Sequence, residues 1–204
     1  MHLNSELLFK KYALQYFRPS SRVLEIGPVG FPSEYQTMVG EPSITWHTVD
    51  IQASVGLPLT YTASSEYTFP IADGAYDLVL SGQVIEHVRK IWIWMKEVAR
   101  VCKTGGTVIT LNPVSWPYHE SPVDCWRAYP EGMKALYDDS SLEVMLCEWG
   151  SLEATRYRNR IPGRSYTWQR RPQAIASRVL GPLGFPVECA YDTITIGKKV
   201  DPRT

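Results

Sequence analysis

The chain has 204 residues, of which 44% are apolar and 21% charged, the profile of an ordinary globular protein long enough to bury a sizeable core without disulfide or metal staples. Twenty-one Lys and Arg against twenty-one Asp and Glu leave zero net charge, which excludes a global basic field for nucleic acid or an anionic membrane. The longest apolar run, Ile91 to Met95, is far short of the ~18 residues of a membrane span.

The first residues, Met1 to Glu6, lack the basic region and cleavage site of a signal peptide, so a cytoplasmic protein is expected. Asn4 or Ser5 reads as the N-cap of a helix over about 6–17, ended by Pro19. Residues 22–26 form a short apolar strand that runs into the turn Gly27-Pro28-Val29-Gly30, and a short helix is predicted around 33–39. A β-branched and aromatic strand over 44–49 ends on Asp50. Further strands are predicted at 76–81 and 107–111, with a helix over 86–102 and the turn Thr104-Gly105-Gly106 between them. Pro130 opens another helix, and two late strands lie at 142–147 and 192–197. Strands alternating with helices predict an α/β fold with a parallel sheet covered on both faces.

The zero net charge hides a division. Residues 1–150 carry 11 basic and 17 acidic side chains, whereas 151–190 carry seven Arg against Glu153 and Glu188. The Arg-rich stretch reads as an insertion or lid on a single domain of residues 1–204, or equally as a solvated face. Cys102, Cys125, Cys147 and Cys189 are widely spaced, with no C-x-x-C or Cys/His cluster, which argues for reduced thiols and against a zinc site.

Two constellations carry chemistry. In the first, a strand ends in a glycine turn and opens a helix, and Asp50 stands at the end of the next strand, where a carboxylate can take both hydroxyls of a ribose. The phosphate-binding patterns G-x-x-x-x-G-K-[ST] and G-x-G-x-x-G are absent, so a nucleoside without phosphates fits better. In the second, residues 112–130 follow a strand end and gather Tyr118, His119, Glu120, Asp124, Trp126 and Arg127 among four prolines. His119 is the candidate general base, oriented by Asp124 or Glu120; the alternative is a His119 that caps a loop carbonyl beside carboxylates paired with Arg127. His87 is the other candidate base, with a packing or cofactor-lining role preferred. No metal is expected, although His119, Glu120 and Asp124 together leave that option open.

Taken in order, Glu25-Ile26-Gly27-Pro28, Asp50, the run from Phe69 to Ser81, Val84-Ile85-Glu86-His87-Val88, and the run from Glu97 to Gly106 resemble the class I S-adenosylmethionine-dependent methyltransferases, nearest the ubiquinone/menaquinone-type group. The resemblance covers about residues 20–112. It implies a Rossmann-like three-layer sandwich: a seven-stranded, mostly parallel sheet with a final antiparallel hairpin, here with an Arg-rich insertion. It implies S-adenosylmethionine as cofactor, with Glu25 and Gly27 toward its methionine end, Gly30 in the same cofactor-binding turn, Asp50 on the ribose, Ile51 beside the adenine, and Ser81 and Gln83 near the sulfonium. The family's acidic adenine partner aligns to Ser65, with Glu66 adjacent. Residues 112–130 resemble the corresponding segment of methyltransferases from carbohydrate gene sets. The expected function is therefore O-methylation of a sugar or similar small hydroxylated acceptor, with Tyr118, Glu120, Trp126 and Arg127 as acceptor contacts and a homodimer as a possible assembly. The rival expectations are methylation of a phenol, carboxylate or amine, and a non-catalytic cofactor-binding partner.

Overall fold

The structure is a computed structural model that describes residues 2–51, 58–120, 122–165 and 172–201. Its strands are β1 (Arg22–Ile26), β2 (Thr45–Asp50), β3 (Tyr61–Thr62), β4 (Tyr76–Gly82), β5 (Cys102–Ser115), β6 (Leu142–Gly150), β7 (Arg160–Pro162), β8 (Val187–Cys189) and β9 (Tyr191–Lys199). Its α-helices are α1 (Leu3–Leu8), α2 (Glu34–Val39), α3 (Ile91–Val101), α4 (Pro130–Asp138) and α5 (Pro172–Leu180). Seven strands form one sheet in the order β3-β2-β1-β4-β5-β9-β6. Pairing is parallel from β3 through β5, and β9 runs antiparallel to both β5 and β6. The chain moves outward from β1 to β3 and then returns to β4 on the other side of β1. That reversal opens a crevice at the strands' C-terminal ends, where such sheets bind ligands.

Period-two alternation divides the sheet's apolar side chains between two layers. Leu24, Val79 and Val108 face α3 and α4, where they meet Trp94, Met95, Val98 and Tyr137. Val23, Leu80 and Ile109 face the other way, against Leu8, Phe9 and Tyr35. Helix α3 shows why its sequence folds so: Ile91, Trp94, Met95, Val98 and Ala99 repeat at helical spacing and are buried, while Trp92 and Ile93 point outward. Buried Glu97 accepts from the backbone N–H of Phe69 at 2.5 Å and pairs with Arg100, which also donates to the carbonyl of Ile71. This network pins the loop before β4 to α3.

Several boundaries differ from the sequence reading. The N-terminal helix starts at Leu3 and gives way to a π-helical turn at Phe9–Ala13 and a 3-10 turn at Leu14–Tyr16. Asn4 and Ser5 do not cap it, because their side chains are fully buried and committed to the sheet. Asn4 Nδ2 donates to the carbonyl of Gly150 and to Asp192, and Gln83 Nε2 donates to Ser5 Oγ. The stretch 86–102 is a 3-10 turn at Ile85–His87 followed by α3. β5 is much longer than predicted, whereas the antiparallel pair β6/β9 stands as expected, with the Arg-rich segment between its strands.

The described residues of the insertion form a small core of their own. β7 pairs in parallel with β8, and Tyr157, Val187 and Cys189 pack beneath α5. Arg170 and Arg171 lie outside the described residues. Ser115 Oγ, at the end of β5, accepts from the backbone N–H groups of Gly163 and Tyr191 and so ties the insertion to the main sheet.

Gly197, in the middle of β9, leaves room for the Tyr137 ring: a Cβ there would stand 2.6 Å from the ring and 3.0 Å from the carbonyl oxygen of Glu143. The Tyr137 hydroxyl donates to the carbonyl of Thr195 and is fixed beside Thr110, so the ring has little freedom to retreat. Gly197→Ala should therefore destabilise the protein by ~1–3 kcal/mol, read as a lowered denaturation midpoint at unchanged slope.

Candidate active site

The turn after β1 is fixed by backbone geometry. Gly27 has φ +68°, and a Cβ there would lie 2.5 Å from Val84 Cγ2, so both conformation and space require glycine. Its N–H donates to the carbonyl of Val49, which locks the ends of β1 and β2 together. Ser33 then caps α2, accepting from the N–H of Gln36 while its hydroxyl donates to Glu25. Glu25 also accepts from the Trp46 indole, and burial pushes its carboxyl above the usual range.

A cavity of about 960 Å³ opens above the ends of β1, β2 and β4. This lies at the upper end of the ~300–1,000 Å³ typical of small-molecule sites. One half is lined by Gly27, Asp50, Ile51, Glu66 and Phe69. Asp50 Oδ1 accepts from the N–H of Ile51 at 2.6 Å, which orients the carboxylate at the strand end. Glu66 is braced by Arg89, whose guanidinium lies 3.3 Å from Oε1.

The other half is lined by Gln83, Glu86, His87, His119, Trp116 and His2. His87 and His119 meet edge to face, with ring centroids 5.0 Å apart. His87 Nδ1 lies 2.6 Å from the carbonyl of Val123, a contact in which Nδ1 carries a proton and the carbonyl accepts. His119 Nδ1 lies 3.2 Å from the carbonyl of Pro117 and 3.4 Å from Asp124 Oδ2. Asp124 also accepts from the His119 backbone N–H and from both terminal nitrogens of Arg127. The Arg127 guanidinium holds the Asp124 carboxyl down at about 2. Glu86 is less well served: its Oε2 is buried without a hydrogen-bond partner, and burial outweighs its own backbone N–H and the Arg127 charge to push the carboxyl up to about 8. Glu86, His87 and His119 each offer a donor atom within 4.8 Å of the others, a set that suits a divalent cation.

The structure brings together Gly27, Asp50, Ile51, Gln83, His87 and His119 on the cavity wall. It places others elsewhere. Glu25 points toward Ser33 and Trp46; Gly30, with φ +82°, shapes the turn; and Ser81 is buried in β4 with an unpartnered hydroxyl. Among the anticipated acceptor contacts, Tyr118 is 71% exposed and donates to Glu120, away from the cavity. The Trp126 indole donates to the carbonyl of Val88, and Arg127 spans Asp124 and the carbonyl of Trp116. Both side chains therefore brace the loop. Of the two carboxylates considered as partners of His119, the near one is Asp124. Sequence reading missed His2, Glu66, Phe69, Glu86 and Trp116 as wall residues. His2 stacks on Trp116 at 4.6 Å, and nothing in its sequence context signals this. Glu66 was within reach as the neighbour of the aligned Ser65.

The raised Glu86 carboxyl gives a pH test. A carboxyl whose folded value lies above its unfolded one binds more protons when folded, so stability falls as pH rises from the ordinary glutamate range through about 8. Glu86→Gln should flatten that decline and gain stability over the wild type at pH 8, measured by denaturation across pH.

Known methyltransferases share this fold. Residues 45–110 match the family described as Methyltransferase domain. A 57-residue stretch is 39% identical to an uncharacterized methyltransferase of Mycobacterium tuberculosis, covering 28% of this chain. The chain spans only 22% of the length of that relative. Among solved structures, a SAM-dependent methyltransferase from Archaeoglobus fulgidus aligns with TM-score 0.62 and 19% identity over 96% of this chain and 94% of its own. The phosphoethanolamine N-methyltransferase 2 of Haemonchus contortus, solved with S-adenosylhomocysteine, aligns with TM-score 0.60 and 13% identity over 97% and 52%. By sheet topology and overall likeness, the chain has the fold of these S-adenosylmethionine-dependent methyltransferases, and its residues 45–110 carry the match to the Methyltransferase domain family.

Proposed function

We propose that this protein methylates a hydroxyl of a sugar, glycoside or similar small acceptor, with S-adenosylmethionine as donor and His119 as general base. The cavity suits the cofactor. Asp50 stands where a cis-diol would be gripped, Glu66 offers a carboxylate to an exocyclic amine, and Ile51 and Phe69 give apolar surface for a purine. When bound, the cofactor supplies an electrophilic methyl group on sulfur. The protein's task is then to align acceptor and methyl and to take a proton from the acceptor hydroxyl.

The observation that carries the reading is the setting of His119. It lies on the cavity wall, and its Nδ1 faces Asp124 and the carbonyl of Pro117, which leaves Nε2 as the nitrogen to receive a proton. Asp124, gripped by Arg127, steadies the imidazolium that results. Aromatic surface on the cavity wall, from Trp116, supports a carbohydrate acceptor. A second reading is favoured by the unpartnered Glu86 oxygen beside the two imidazoles: a divalent cation held there would polarise the hydroxyl in place of a base.

Methyl-labelled cofactor offered with a panel of glycosides, phenols and amines, followed by mass spectrometry, should label a sugar hydroxyl; label confined to phenols or amines would contradict the acceptor class. His119→Ala should lower kcat by ~10²-fold or more at unchanged S-adenosylhomocysteine affinity, with Asp124→Asn costing less. Activity abolished by chelation and restored by a divalent metal would favour the second reading. Asp50→Ala should weaken S-adenosylhomocysteine binding by ~1–3 kcal/mol in calorimetry.

A further inference from the structure

Zero net charge over the whole chain conceals a local patch that the fold assembles on the insertion between β6 and β9. Residues 151–190 hold seven Arg and only two acidic residues. Glu153 is buried, accepting from the N–H of Ala190, and Glu188 is half-buried. Arg156, Arg158, Arg164 and Arg178 are exposed. Between them, large apolar side chains stand in solvent: Ile175 is 58% exposed, Val179 63%, Leu183 69% and Phe185 56%.

These residues form one surface. Ile175, Val179 and Leu183 follow at i, i+4 and i+8 along α5 and the 3-10 turn Gly181–Leu183 that continues it, while Ala174 faces inward. The Arg156 guanidinium lies 5.5 Å from the centre of the Tyr157 ring, and that ring packs against Gly181. Asn159 Nδ2 donates to the carbonyl of Gly184 at 3.2 Å, which joins the Arg156–Arg158 segment to the Leu183–Phe185 turn. The insertion's own core is made by Tyr157, Val187 and Cys189, so the exposed apolar residues are not part of it.

We propose that this face docks on the surface of an anionic lipid bilayer. Protruding apolar side chains among guanidinium groups match an interface in which acyl chains lie just below negative headgroups. A second copy of the chain is a poorer occupant, since a two-fold contact would set Arg against Arg with no exposed carboxylate in the patch among the described residues. Nucleic acid would use the arginines but not the Ile, Val, Leu and Phe between them. The insertion is tied through Ser115 to the end of β5, and the next residue, Trp116, lines the cavity. The docking itself does not rest on methyl transfer.

The test is co-sedimentation of the full chain with phosphatidylcholine vesicles, with and without phosphatidylglycerol. Binding should require the anionic lipid and weaken as salt is raised. Both I175D/V179D and R156E/R158E should lower the vesicle affinity by about tenfold or more while leaving thermal stability and S-adenosylhomocysteine affinity unchanged. Wild-type protein that stays in the supernatant, that binds neutral vesicles equally well, or that is matched by both variants would overturn the proposal. So would light scattering that shows a dimer which I175D/V179D converts to monomer, since the face would then belong to a second copy.

Discussion

A carboxylate that water cannot reach must be gripped by the protein, and Asp192, at the start of β9, is completely buried. Asn4 donates to one of its oxygens at 2.6 Å, Gln83 donates to the other at 3.2 Å, and His2 Nε2 lies 3.2 Å from that second oxygen. These partners come from the N-terminal helix, the turn after β4 and the residue that stacks on Trp116. One buried side chain thus joins the N-terminal segment, the turn after β4 and the exit of the insertion. Asn4 extends the clasp to β6, because it also binds the carbonyl of Gly150 and accepts from the N–H of Leu152.

The same economy governs the proline-rich loop. Asp124 is bound by Arg127 through two hydrogen bonds, and Arg127 also donates to the carbonyl of Trp116, so the proline-rich loop closes on itself before it presents His119. The indole of Trp126 fastens the loop to the carbonyl of Val88, and the N–H of Cys125 fastens it to the carbonyl of Glu86. Two histidines far apart in sequence meet edge to face because both sides of that seam are tied. The cost falls on Glu86, which is buried beside them with one oxygen unanswered.

Much of this was legible in the sequence. Strand periodicity and turn glycines located β1, β2, β4 and the final antiparallel pair to within a few residues, because a sheet buried on both faces leaves little choice of apolar pattern. Asp50 and Gly27 were readable because each stands at a strand end, where topology alone dictates access to the crevice. What stayed hidden depended on contacts remote in sequence. Asn4 and Ser5 look like helix caps until Asp192 and Gln83 are placed beside them. Trp126 and Arg127 look like acceptor contacts because residue type does not reveal direction, and their partners are the backbone of their own loop and of Val88. The patch on the insertion was visible as a charge run, but only the fold shows that Ile175, Val179 and Leu183 stand among the arginines instead of beneath them.

The account's central claim is that the crevice above β1, β2 and β4 holds the cofactor with its reactive end toward His119. A crystal structure with S-adenosylhomocysteine tests it most directly. The account predicts the ribose hydroxyls on Asp50, the purine beside Ile51 and Phe69, and the sulfur facing the half of the cavity that carries His87 and His119. A ligand bound elsewhere, or bound here with its purine against the histidines, would contradict it.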